Sequence, residues 1–148
     1  MKDWLYVDTP GTCKGVGLLI LRLVVGAAFV LHGWPKIQAP MGWMGPDAPV
    51  PGILQACAAA AEFVGGMLLM AGLLTPLAAL GLSVTMVVAI MFHVSRGDPF
   101  VGKPGTAGYE LAAAYLAAAL AILCLGPGRF SLDALFARKH AAPSTPSP

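Results

Sequence analysis

Seven side chains carry the chemistry open to this sequence: Arg22, His32, Lys36, Glu62, His93, Tyr109 and Glu110. Each lies inside or at the edge of an apolar run. In a bilayer such groups are expensive, an Arg or Asp at mid-span costing about 2.5 to 3.5 kcal/mol on insertion scales. They are retained only with a partner or a task. An Arg and a Glu at similar depth make an ion pair, whose plainest role is to fix helix register. Histidine exchanges protons near neutrality, and a carboxyl in an apolar site keeps its proton more readily. His32, His93, Glu62 and Glu110 are thus the candidate catalytic acid–base groups. Two His with a Glu also suit zinc, iron or copper. No H-x-x-x-H spacing occurs, so no metal site is assigned, and interfacial histidines bonded to loop carbonyls are the plainer reading.

Composition says what must position these groups. The chain has 148 residues, of which 57% are hydrophobic and 11% charged, against about 25% charged in a soluble domain. Mean hydropathy is +0.77. Sixteen charges cannot coat a solvated globule of this composition, and the hydrophobicity excludes disorder. A net charge of +2 carries no nucleic-acid signal. The partner this composition demands is a lipid bilayer.

Four apolar runs are long enough to cross it as helices, at about 16–34, 53–74, 77–94 and 109–125. They lack strand alternation, and a bilayer admits only helices or closed barrels. The fold expected is all-α: a four-transmembrane-helix bundle with a short C-terminal interfacial helix. Pro35 is expected to end the first helix. Thr75-Pro76 makes a tight hairpin of the second and third, and Gly126-Pro127-Gly128 stops the fourth. Ser131 can cap the short helix, whose Leu132, Leu135 and Phe136 face lipid and whose Arg138 and Lys139 meet headgroups. The division expected is a cytoplasmic segment over 1–15, a membrane domain over 16–136 and a disordered Pro/Ser-rich tail over 137–148. Five Lys and Arg flank one end of the bundle and three the other, which places both termini in the cytoplasm of a bacterial cell. Three cysteines without a C-x-x-C spacing read as small hydrophobes.

Depth follows from about 1.5 Å of rise per residue. With the first span rising from residue 16 and the second descending from 53, Arg22 and Glu62 differ in height by about 7 Å, within reach of an extended Arg. They are the expected ion pair. His32 and His93 share a level near the outer edge, together with Tyr109 and Glu110, and Lys36 stands at the rim of this outer cluster. Small residues flank the charged positions, Gly26 and Gly33 beside Arg22 and Gly65 and Gly66 beside Glu62, so the charged faces point into the bundle.

The run from Leu21 to Gly33 with Lys36 resembles the first helix of DoxX-type membrane proteins. Glu62 to Gly66 followed by Gly72 to Pro76 resembles their second, His93 the end of their third, and Gly108-Tyr109-Glu110 with Gly126 to Asp133 their fourth helix and exit. The resemblance covers about residues 17–136. It implies a four-helix inner-membrane bundle with a redox association, as in the small subunits of thiosulfate:quinone oxidoreductase. It also implies motif positions at Arg22, His32, Lys36, Glu62, His93, Tyr109 and Glu110, without a settled catalytic set.

Two functions then compete. One is a quinone-linked oxidoreductase subunit, with His32, Lys36, His93, Tyr109 and Glu110 around the quinone. The other is a non-catalytic scaffold or assembly subunit of a membrane oxidoreductase or oxidative-stress complex, favoured by the lack of any haem, flavin or iron–sulfur motif. Its small-residue faces would meet protein subunits of such a complex or a second copy of the chain. A small-solute transporter is a third reading, resting on polar groups at two depths and a faint internal repeat.

Overall fold

A computed structural model describes residues 11–140. The first ten residues and the tail from Ala141, including its expected disorder, lie outside the described residues. Five helices follow in order, α1 (Gly11–Gln38), α2 (Gly52–Ala71), α3 (Thr75–Ser95), α4 (Glu110–Leu125) and α5 (Leu132–His140), with no strand among the described residues. The helices α1, α2 and α3 are long and apolar enough to cross a membrane. The fourth is equally apolar but has 16 residues, about 24 Å of helix.

Punctuation works largely as the sequence suggests, with one correction. Pro35 does not end α1, which continues to Gln38. A proline near a helix end removes one backbone bond, and the final turn can absorb that loss. The extra turn carries Lys36. Gly72 ends α2 in the left-handed region at φ 66°, and Leu74 follows at φ 48°, so the chain reverses within three residues. Ser131 Oγ accepts the Ala134 N–H at 3.1 Å, capping α5 as expected. That helix runs to His140, past the expected boundary at 137.

The bundle closes as a ring, α1 on α2, α2 on α3, α3 on α4, and α4 back against α1. The tightest seam is α1 on α2. A Cβ at Gly26 would lie 2.7 Å from the Gly66 carbonyl oxygen, and one at Gly33 would lie 2.6 Å from the Phe63 nitrogen. The two backbones therefore touch, which only glycine allows. Val25, Phe29, Leu69, Leu82, Met86 and Ile122 fill the centre. Ile20, Val24, Leu31, Leu77, Val84 and Leu125 are exposed on the outside, and the three cysteines are exposed as well. An apolar exterior of this extent suits hydrocarbon, not water.

The glycine seam sets the register and separates Arg22 from Glu62. Gly26 lies against Met70, and Gly33 against Phe63, so Glu62 is level with the last turns of α1. Arg22 lies about 18 Å further along the axis, and the expected Arg22–Glu62 pair does not form. The sequence arithmetic fails because it starts both spans level with opposite membrane edges, whereas α1 begins five residues early and overshoots α2.

Arg22 instead joins α1 to the connection between α4 and α5. It is 1% exposed. Its Nη2 donates to the Phe130 carbonyl at 2.6 Å and its Nη1 to the Pro127 carbonyl. Asp133 completes the knot by accepting the Leu74 and Thr75 N–H groups at 2.8 and 2.9 Å. These are the free donors at the start of α3. Burial would raise the Asp133 carboxyl, but these bonds and the nearby Arg22 charge hold it below its ordinary value.

Candidate functional site

Glu62 meets Lys36. The Lys36 ammonium donates to both Glu62 oxygens at 2.6 Å, with the Glu62 side chain 3% exposed and that of Lys36 24% exposed. The pair follows from local structure. Gly33 on Phe63 brings the end of α1 against α2, and the turn beyond Pro35 carries Lys36 across to the carboxylate. Trp43 lies over the ammonium, its ring centroid 4.6 Å away, an added attraction between cation and ring face.

The Pro-rich loop 39–51 is held over this pair by Gln55, which is 3% exposed. Gln55 accepts the Met44 N–H at 3.1 Å, donates to the Val50 carbonyl at 2.9 Å, and offers its backbone carbonyl to Trp43 Nε1 at 3.1 Å. The buried side-chain amide thereby satisfies two polar groups of the loop and the backbone carbonyl of the same residue a third, as buried polar groups require.

Beside the ion pair lies a cavity of about 180 Å³. His32, Lys36, Glu62, His93 and Tyr115 line it, with Phe29 and Met86 as apolar wall. Tyr115 packs against Phe29 and His32, at centroid separations of 5.1 and 6.0 Å. His93 Nδ1 pairs with Asp98 Oδ2 at 2.8 Å, and the Asp98 N–H bonds back to the His93 carbonyl at 3.0 Å. This fixes the ring and leaves Nε2 as its second polar atom. Among the described residues no three His, Cys, Asp or Glu side chains gather as metal ligands would.

The structure thus brings together His32, Lys36, Glu62 and His93. Tyr109 and Glu110 are not among the cavity-lining residues. Tyr109 packs edge-on against Phe100 at 5.2 Å. Glu110 opens α4, its N–H bonded to the Phe100 carbonyl at 2.9 Å and its side chain exposed. Depth arithmetic finds their level but not their direction around the helix. Tyr115 and Asp98 were missed. The i+5 spacing from His93 was the available signal for Asp98, whereas Tyr115, inside an alanine-rich run, reads as packing.

Donors, a carboxylate and imidazoles around one small space can bind the polar end of a neutral carbonyl compound and exchange protons with it.

The chain is 38% identical over 125 residues to an uncharacterized protein of Haemophilus influenzae, covering 82% of this chain and 92% of that one. It is 29% identical over 133 residues to the inner membrane protein YqjF of Escherichia coli, covering 85% and 96%. Over 91 residues it is 32% identical to the "Putative oxidoreductase CatD" of Bacillus subtilis, covering 60% and 66%. No solved structure matches significantly. The DoxX family profile matches residues 17–95, which take in Arg22, the glycine seam, the Lys36–Glu62 pair and His93, and the chain belongs to the DoxX family of membrane proteins.

Proposed function

We propose that this protein is a quinone-linked subunit of a bacterial inner-membrane redox complex. The observation that carries the reading is the Lys36–Glu62 pair on the wall of a cavity that also gathers His32, His93 and Tyr115. A quinone supplies two-electron, two-proton chemistry in the bilayer. Lys36 and Tyr115 are placed to donate to its carbonyl oxygens, while Phe29 and Met86 accept the ring's apolar faces. His93, oriented by Asp98, and Glu62 take up or release the protons. The electrons come from a partner redox protein. The name that the Bacillus subtilis relative carries agrees with this reading.

In this reading α4 is a fourth crossing. Its length of about 24 Å falls a little short of a core of about 30 Å, a mismatch that local thinning accommodates. Both termini are then cytoplasmic, and the cavity opens toward the outer face.

The test is the quinone content of protein purified in mild detergent. Wild type and Glu110→Ala should carry quinone in near-stoichiometric amount, and Lys36→Ala with His93→Ala should lose it. Equal, trace quinone in all would overturn the reading and favour the scaffold subunit.

A further inference from the structure

A second, larger hollow lies on the other side of the Lys36–Glu62 pair. It runs between α2 and α3, has a volume of about 640 Å³, and is lined mainly by apolar side chains. Such a volume is typical of small-molecule sites, which span about 300 to 1,000 Å³. Small residues make the space: Ala58 and Ala61 on α2 face Gly81 on α3, where a Cβ would still lie 3.7 Å from that of Ala61. Leu80, Val84 and Val88, each 44% exposed or more, form its α3 edge. Lys36, Glu62 and Ala89 line both this groove and the polar cavity.

We infer that the groove is the binding site for the single long hydrocarbon chain of a bilayer amphiphile with a small neutral head. Three observations fix that occupant. The walls belong to two membrane-spanning helices, so the groove is filled from hydrocarbon. Its charged and amide side chains gather where Lys36, Glu62 and Gln55 meet Trp43, whereas the Thr85 hydroxyl is bonded back to the Gly81 carbonyl, and Gln55 clamps the Pro-rich loop across that end, so that a bulky headgroup would meet the loop. The charges there cancel within the ion pair, so a phosphate head would face the Glu62 carboxylate, whereas a carbonyl or hydroxyl head accepts from Lys36 at no such cost. The naming of that head as a quinone rests on the function proposed above; the assignment of the chain does not.

The test uses full-length protein in phosphatidylcholine nanodiscs with a decyl alcohol carrying a diazirine in its tail. After irradiation, crosslinks are mapped by mass spectrometry. Labelling at residues 54–61 and 77–88 should saturate and should exceed that at lipid-facing Val24 by at least fivefold. It should fall to the Val24 level in Gly81→Leu, and also in Val84→Phe, where the added bulk sits at a 57% exposed position that does not support the fold. Groove labelling no stronger than at Val24, or unchanged in both folded variants, would overturn the assignment. Displacement by a decyl-tailed benzoquinone but not by the same ring without its tail identifies the head. Plug-sensitive labelling that no quinone displaces leaves the groove assigned and refutes the quinone reading.

Discussion

Lys36 and Glu62 are unequal partners, and the inequality sets a measurable order. Glu62 is 3% exposed and both its oxygens rest on one ammonium, whereas Lys36 keeps 24% of its side chain exposed. Lys36→Met strands a carboxylate in the bundle. Breaking a buried pair from one side costs about 3 to 5 kcal/mol. Glu62→Met leaves an ammonium on a flexible stem that can turn to water, so the cost falls to about 1 kcal/mol, that of an ordinary hydrogen bond. Replacing both by Met removes both charges together and should be close to neutral, since buried pairs often exchange for apolar side chains without loss. Unfolding free energies in mild detergent, followed by far-ultraviolet circular dichroism across a denaturant series, would give all three values. The coupling within the cycle should exceed about 2 kcal/mol. Equal costs for the two single variants, or additivity in the double, would refute the asymmetry and with it the view of Glu62 as the buried member.

Other consequences concern the seams. Gly33→Ala places a methyl 2.6 Å from the Phe63 nitrogen and 2.9 Å from its Cα. Because backbone cannot turn aside, the melting temperature should fall by the equivalent of about 1 to 3 kcal/mol. Gly17→Ala, which meets nothing within 4 Å, should be neutral or slightly stabilising. Arg22→Met leaves the Pro127 and Phe130 carbonyls without their donor, at about 1 to 3 kcal/mol each, and limited proteolysis should then cut between α4 and α5. The Asp133 carboxyl lies below its ordinary value of 3.8. Its contribution is therefore present above that pH and lost as acidification passes through the native value. As the pH is lowered from about 5 to below 3.8, wild type should lose more thermal stability than Asp133→Asn.

The helices were legible because hydrophobic runs and Pro/Gly breaks act over a few residues, and bilayer thickness fixes their length. Register was not. It depends on where two helices touch, and that is decided by Gly26, Gly33 and Gly66, whose missing side chains let the backbones meet. The sequence marks these glycines as small but does not say which meets which. A shift of about two turns sends Arg22 to the α4–α5 connection and Glu62 to Lys36. His32, Lys36, Glu62 and His93, which line one cavity, were legible as candidates because each is an ionisable group in or beside an apolar run. Tyr109 and Glu110 do not line that cavity, since their direction around α4 depends on how the loop 96–109 enters it. Asp98 sits in that loop, where an acidic residue looks like ordinary solvated surface.

The Arg22 seam also bears on biosynthesis. The guanidinium emerges early, yet its acceptor at Pro127 lies 105 residues later in the chain. At about 5 to 20 residues per second, that separation is about 5 to 20 seconds of translation. Throughout that interval the first span holds a charge without its native partners, at a position that the folded protein buries. The early helix gains these polar contacts only when the last segment arrives. Nascent chains arrested before Pro127 should therefore remain crosslinked to the insertion machinery through α1, and chains arrested well past Asp133 should be released. Completion of the chain is thus written into its first helix as a debt of hydrogen bonds.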